Sequence, residues 1–510
     1  MTPVDEAPPE IGGERPERDA DRSRTVTRNA GLALAAQIAT GLATAGITLF
    51  LVRALDPTGY GLFALALGFA ALFVVPADFG ISPAAARYIA ERRGDRRAVA
   101  ATLATALRLK LALTAAVALA LIALASPIAT AYGQPDLAWP LRGVAISLFG
   151  QSLVFLFSTS FVALGRISRS LLLTVGEAAA EAAATVALVL VSMTASGAAF
   201  GRAVGYGVGA ALGLALMAKL LGSRAIAQRE GGPETRSLAA YAGALLVVDS
   251  AYAIFSQVDV LIVGALLGTA AAGIFAAPVK LSVLLAYPGL AISSAIAPRV
   301  AGGPSGARDA PALVAGIRVL LIVQMLATVV VCTWSQPIVD LVLGPQYRES
   351  AAVLLAFGPF IFLSGFGPLV STSINYLGQA RRRIPIAVGC AVLHVALTFA
   401  MVESIGMVGA ALSAGISYAL YVGGHMRIAA EILELRVRPL GLTLARSAAA
   451  GLLAAVLLIL LGTNELSPLA WAAGFIGAPL VFGATLIALR ETSIAELRSV
   501  WRLIAAARRR

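Results

Sequence analysis

Fourteen long apolar stretches follow one another along the 510 residues, and the arginines fall almost entirely on alternate connections between them. A helix of about 20 apolar residues crosses a ~30 Å hydrocarbon core. In hydrocarbon each backbone N–H and C=O must be satisfied internally, so such stretches become a bundle of spanning helices. The expected spans are 30–52, 60–80, 103–130, 138–163, 170–192, 198–221, 239–264, 270–297, 313–339, 351–377, 384–402, 406–424, 443–461 and 467–489. The fold class read from this pattern is all-α: a polytopic membrane protein with 14 transmembrane helices.

The basic residues orient the bundle. Of 39 Lys and Arg, 34 lie in 1–29, 81–110, 164–170, 219–237, 298–318, 378–384, 425–446 and 490–510, all on one side. Arg53, Arg142 and Arg348 fall on the other side, and Arg202 and Lys280 lie within spans. Cytoplasmic loops carry the excess of Lys and Arg, so the rich side, with both termini, reads as cytoplasmic. The same bias explains the net charge of +12, which in a soluble chain would point to nucleic acid. Here the counter-charge is anionic membrane lipid, and no nucleic-acid partner is expected. Residues 1–29 are polar and read as a disordered cytoplasmic N-terminus without the apolar core of a secretory signal. In 490–510, Ile494, Leu497, Val500, Trp501 and Ile504 recur at helical spacing among arginines. That segment reads either as a basic amphipathic helix on the inner leaflet or as a frayed basic tail.

The chain also repeats itself. At an offset of 212 residues, Leu55, Gly61, Phe63, Arg87 and Tyr206 match Leu267, Gly273, Phe275, Arg299 and Tyr418. At 213, Leu164, Gly165, Arg169, Val175 and Gly176 match Leu377, Gly378, Arg382, Val388 and Gly389. The register maps the first span onto the seventh. An even number of spans separates them, so the repeat is parallel, about an axis along the membrane normal. The expected organisation is a six-helix bundle over 30–221, a second over 239–424, and two further helices over 443–489. Substrate is then expected between the halves near mid-membrane.

Three stretches carry a family resemblance. Leu51-Val52-Arg53-Ala54-Leu55-Asp56-Pro57-Thr58-Gly59-Tyr60-Gly61-Leu62-Phe63 is one. Asp78-Phe79-Gly80-Ile81 followed by Arg87-Tyr88-Ile89-Ala90 is the second, and the third runs from Asp259 through Gly268 to Ala272-Gly273-Ile274-Phe275-Ala276-Ala277-Pro278-Val279-Lys280-Leu281. With the fourteen spans, these resemble the Wzx-type oligosaccharide flippases of the multidrug/oligosaccharidyl-lipid/polysaccharide exporter superfamily, over roughly residues 25–490. The resemblance implies a bacterial inner-membrane protein that moves a polyprenyl-pyrophosphate-linked oligosaccharide to the outer leaflet by alternating access. It also implies a polysaccharide polymerase as a partner. The superfamily's drug exporters lean on an acid in the first span, and residues 30–52 hold none. Its peptidoglycan-precursor flippases place several arginines in the cavity, whereas the first span has only Arg53, at its end. Both remain alternatives. A membrane enzyme is disfavoured because no loop carries a nucleophile, metal or paired-acid motif.

Such a carrier needs polar stripes and fixed cations facing inward. Gln37 lies on a polar face of the first span, Asp249, Tyr252 and Asp259 on one face of the seventh, and Asn375 on the tenth. Lys280 falls near mid-membrane, where a charge costs about 2.5–3.5 kcal/mol. It is read as a contact for a phosphate or sugar acid, or as the partner of Asp249 or Asp259. Arg53 sits at an outer span end; Arg87 and Arg299 form a repeat-related pair at the inner mouth, either for the phosphate or simply from the orienting bias. Asp249 with Asp259, and Glu177 with Glu181 one turn apart, are candidate sites for coupling protons or sodium, or counter-ions for a buried cation. Cys332 and Cys390 lie in apolar spans without ligand spacing, and the two histidines, His394 and His425, make a histidine-based site improbable. No cofactor or metal is expected.

Overall fold

The computed structural model describes residues 40–222, 235–300, 309–435 and 438–493, with side chains from 250 onward in the second stretch. The expectations for residues 1–29, for Gln37, for the Asp249 side chain and for the tail beyond 493 lie outside the described residues.

Every regular element among the described residues is helical. The chain runs through α1 (Thr40–Ala54), α2 (Pro57–Asp78), α3 (Ile81–Glu91), α4 (Arg96–Ala131), α5 (Ala138–Ala163), α6 (Ile167–Ser192) and α7 (Ala195–Leu221). It continues through α8 (Thr235–Leu267), α9 (Thr269–Ser282), α10 (Tyr287–Val300), α11 (Ala310–Thr333) and α12 (Ser335–Val342). Then come α13 (Ser350–Ala356), α14 (Gly358–Ser364), α15 (Phe366–Tyr376), α16 (Ile384–Ile405), α17 (Met407–Leu433), α18 (Arg438–Leu461) and α19 (Pro468–Ala488). Twelve helical stretches among the described residues are long and apolar enough to cross a membrane. A thirteenth arises if α13 to α15, bent by 52°, count as one span, and α1 is a shorter apolar helix. The chain is a multi-pass membrane protein.

Side chains start many of these helices. Asp56 accepts from Gly59 N at 2.6 Å with Pro57 at the first helical position, and Asp95 accepts from Arg97 N and Ala98 N at 2.9 and 3.1 Å. Asp309 and Ser467 cap α11 and α19 in the same way. Such caps satisfy N–H groups that the helix leaves orphaned.

Two expected spans are interrupted. The stretch 270–297 breaks into α9 and α10 around a 3₁₀ turn, Val283–Ala286. Pro288 has no N–H for the Leu285 carbonyl in that tighter turn; Gln324 of α11 supplies one at 3.0 Å. Pro278 likewise frees the Ile274 carbonyl, and Ser350 donates to it at 2.6 Å. The stretch 351–377 breaks at Phe357 and Gly365, beside Pro359 and Pro368. Lys110, counted above with the inward basic residues, lies inside α4 and is fully buried against Asp78 and Ser82.

At one end of the bundle the earlier and later helices share a single core. Leu51, Tyr60, Leu121 and Leu141 pack there with Val263, Phe275, Tyr347 and Ala411. Arg53 donates to Leu341 O at 2.8 Å, and Gln346 to Val52 O at 3.3 Å, tying segments read as outward-facing. Where α2 crosses α9, a Cβ on Gly61 would strike the Thr269 carbonyl, and one on Gly273 would strike the Pro57 carbonyl. Each would also lie 2.9 Å from the other's backbone nitrogen. Pro57 and Thr269 are 212 residues apart, as are Gly61 and Gly273, so the contact is reciprocal, as at a two-fold interface.

Toward the other end the cores separate. Ile89, Leu103, Phe157 and Met217 form one within α3 to α7, and Leu313, Leu320, Leu369 and Val422 form another from α10 to the start of α18. The last two helices pack on α11 around Trp334, Ala454, Leu458 and Phe482, with Trp334 Nε1 donating to Leu458 O at 3.1 Å. Beyond α19, Glu491 accepts from Arg318 Nε at 2.8 Å, Thr443 Oγ1 at 2.7 Å and Arg446 Nη1 at 3.0 Å. Burial raises the Glu491 carboxyl, but these hydrogen bonds outweigh it and hold its pKa below the ordinary carboxylate value.

Candidate functional site

A cavity of about 400 Å³ opens where the shared core ends. Tyr252, Phe255 and Asp259 of α8 line it with Phe275 and Lys280 of α9 and Tyr418 of α17. A second cavity of about 280 Å³ shares Tyr252, Phe255, Pro368 and Tyr418 with it and adds Ser371, Tyr421 and Arg383. Apolar walls with a few convergent polar groups are the usual make-up of a ligand site.

The break after α9 places Lys280. It sits in the last turn of that helix, whose terminal carbonyls carry partial negative charge in mid-span. It makes no hydrogen bond or ion pair among the described residues. Asp259, its expected counter-ion, turns elsewhere: its Oδ1 accepts from Thr398 Oγ1 at 3.0 Å. His394 Nε2 lies 2.9 Å from the same oxygen, off the direction of a good hydrogen bond. Thr398 meets Ser413 at 2.6 Å, and the His394 ring packs on Phe255 with centroids 4.4 Å apart. Among the described residues Lys280 is thus a cavity cation without a carboxylate, at a helix end of complementary charge.

Arg383 is the second such cation. The 3₁₀ turn Ala380–Arg383 delivers it to the cavity wall. Nη1 donates to Asn375 Oδ1 at 2.6 Å, Nη2 to the Tyr421 hydroxyl at 3.2 Å and Nε to His425 Nε2 at 3.1 Å. His425 Nδ1 faces the Tyr421 carbonyl at 2.7 Å, so the ring is a neutral tautomer with its proton on Nδ1. Asn375, picked from the sequence as a substrate contact, therefore positions this guanidinium.

The two acids of α6 meet an arginine from α7. Glycines 201, 205 and 209 bring α7 so close that a Cβ at 209 would be 2.6 Å from Glu177 Cγ. Arg202 pairs with Glu181 and donates to the Tyr206 hydroxyl at 3.2 Å. Glu177 is buried, and its Oε1 has no hydrogen-bond partner among the described residues.

The remaining selected residues lie apart from these walls. Arg53 is spent on the Leu341 carbonyl, Arg87 pairs with Glu91 at 2.9 Å, and Arg299 pairs with Asp309 at 3.0 Å. Sequence reasoning missed His394, Arg383 and Gln324 as site or supporting groups. Only Pro288, four residues after Leu284, could have flagged the break that sets Lys280. Among the described residues, no three His, Cys, Asp or Glu cluster in a way that would hold a metal ion.

The family profile described as polysaccharide biosynthesis protein matches residues 26–302. No curated protein sequence matches the chain. Among solved structures, the fold is similar to a lipid II flippase, MurJ, in an inward closed conformation, at a TM-score of 0.70. That pair shares 12% identity over 89% of this chain and 99% of the other. It is also similar to an inward-facing multidrug resistance MATE family transporter of the MOP superfamily, with a TM-score of 0.66 and 16% identity. There the match covers 78% of this chain and 95% of the other.

Proposed function

From the premise that the chain belongs to the polysaccharide biosynthesis protein family and has the fold of MOP-superfamily transporters, we propose that it is a flippase. Its cargo is a polyprenyl-pyrophosphate-linked oligosaccharide, carried from the inner to the outer leaflet for cell-surface polysaccharide synthesis. The observation that carries this reading is Lys280, a cation with no carboxylate partner among the described residues, on the wall of an aromatic-lined cavity. A bare ammonium suits a phosphate as a point charge, and aromatic faces suit the apolar faces of sugars. Arg383, held by neutral groups alone among the described residues, offers a second anion contact nearer the arginine-rich end. The same two charges disfavour a cationic drug as cargo, which weighs against the drug-exporter alternative.

The proposed architecture is fourteen spans in the inner membrane, arranged as two parallel bundles of six plus a trailing pair, with both termini cytoplasmic. The reciprocal Gly61 and Gly273 contact supports the two-fold relation. A core shared at one end and divided at the other supports alternating access, with the cargo entering from the divided end. Two sites are proposed for coupling ions. Asp259 stands with His394 beside the cavity, and Asp249 lies on the same helix. Arg202 pairs with Glu181, and Glu177 one turn away is buried with no ion pair among the described residues, so neutrality of that cluster calls for a proton. The membrane potential also drives an anion outward by about 2.3 kcal/mol per charge per 100 mV. A polysaccharide polymerase is the partner this role calls for.

The test is flipping by Lys280→Ala and Lys280→Arg in vesicles loaded with a labelled lipid-linked oligosaccharide. The alanine variant is expected to insert normally and lose most activity, and the arginine variant to keep part of it. Wild-type flipping by well-inserted Lys280→Ala would remove the lysine from the mechanism.

A further inference from the structure

A third cavity, of about 390 Å³, lies at the arginine-rich end of the first seven helices. It shares no wall residue with the two cavities above. Arg93 reaches it from the turn between α3 and α4, Arg96 from the start of α4, and Arg166 from the turn between α5 and α6. Leu164, Leu220 and Leu221 supply an apolar floor where α5 and α7 end.

Among the described residues, the hydrogen bonds of Arg93 and Arg96 go to neutral groups. Arg96 donates to the Leu220 carbonyl and Arg93 Nε to the Ala90 carbonyl at 3.3 Å, each in the last turn of a helix. The neighbouring acid, Asp95, is turned onto the start of α4, where it caps Arg97 N and Ala98 N. Three guanidiniums thus converge on one cavity with no carboxylate among the described residues to balance them. Guanidiniums present planar forks of donors matched to phosphate oxygens. Basic pockets between the ends of spanning helices are where anionic headgroups bind.

We propose that this cavity is a binding site for a phosphate-bearing anion, and that its occupant is the headgroup of an anionic phospholipid. The leucine floor at the boundary of the spans favours a lipid over a soluble phosphate, because the glycerol and first acyl carbons then cover apolar surface. Such a lipid clips together the turns before α4 and α6 and the end of α7. Because it binds the folded chain, it raises stability by mass action.

The purified full chain is to be examined by native mass spectrometry and thermal unfolding with phosphatidylglycerol, phosphatidylcholine of the same acyl chains, or inorganic phosphate. Phosphatidylglycerol is expected to give a discrete adduct and the largest rise in melting temperature. The variant R93Q/R166Q, which spares the Arg96 bond to α7, is expected to bind it about tenfold more weakly and to bind phosphatidylcholine unchanged. The charge-matched control R92Q/R97Q, outside the cavity, is expected to behave as wild type. Equal loss in the control would reduce the effect to surface charge and overturn the site. Stabilisation by inorganic phosphate equal to that by phosphatidylglycerol would overturn the lipid and assign a soluble phosphate. Unchanged phosphatidylglycerol binding by correctly folded R93Q/R166Q would overturn both.

Discussion

Lys110 and Asp78 form a buried ion pair whose removal has a calculable order of effects. The lysine side chain is 0% exposed and the aspartate 15%. Ser82 donates to the same carboxylate oxygen at 2.6 Å, and Lys110 also reaches the serine hydroxyl. Removing one partner of a buried pair costs about 3–5 kcal/mol, because the other charge is left behind. Lys110→Met leaves a carboxylate that keeps Ser82 and some contact with its surroundings, so the cost falls near the low end. Asp78→Asn leaves a wholly enclosed ammonium, so the cost falls near the high end. In Lys110→Met with Asp78→Asn no unpaired charge remains, and the loss should shrink to about 1 kcal/mol. The assay is the melting temperature in detergent at one fixed scan rate, since membrane proteins of this size rarely unfold reversibly. The expected order is wild type, double variant, Lys110→Met, Asp78→Asn. A double variant whose loss equals the sum of the singles, or Asp78→Asn milder than Lys110→Met, would refute the reasoning.

Three further outcomes are expected besides the Lys280 result. Gly273→Val should lower the melting temperature and flipping together, because a Cβ there meets the Pro57 backbone carbonyl rather than a movable side chain; a neutral effect would mean that α2 and α9 do not cross so closely. Glu491→Gln should cost about 1.5–3 kcal/mol through its charge-assisted hydrogen bonds. The folded pKa of Glu491 is depressed, so this stability is complete above the ordinary value of 4.5 and is lost as pH falls through the folded value. Melting curves of wild type and Glu491→Gln should therefore converge only in acid, and convergence already at neutral pH would contradict the clasp. Cysteines at Arg92 and Arg382 should resist an impermeant thiol reagent on intact cells, while those at Gln134 and Asn464 should react; the reverse pattern would invert the proposed orientation.

The helices were legible because membrane insertion is a local problem. Each span has to satisfy its own backbone and bury its own apolar length, so the ends of α5, α6 and α19 fall near the expected boundaries. The caps at Asp56 and Asp95 are equally local, involving a side chain and an N–H two or three residues on. Arg202 and Lys280 stood out by elimination, as the two cations that no loop claims. The interruptions were less legible. A proline weakens a helix, but whether the span breaks depends on a neighbour supplying the missing donor, as Gln324 does for Leu285 and Ser350 does for Ile274.

What the sequence determined by itself is the membrane class, the helical architecture and the register of 212 residues, all of which follow from hydropathy and spacing along one chain. Which charges meet was decided only by the tertiary structure. Asp259 lay on a helix adjacent in sequence to Lys280, yet it accepts from Thr398, about 140 residues away, with His394 beside it. Arg202 found Glu181 because glycines on α7 let two helices nearly touch. In a low-dielectric interior each charge takes the partner that geometry brings within a few ångströms, since an unpaired one is costly. That geometry is set by the packing of whole helices, which periodicity does not encode. Lys280, which finds no carboxylate among the described residues, faces the cavity.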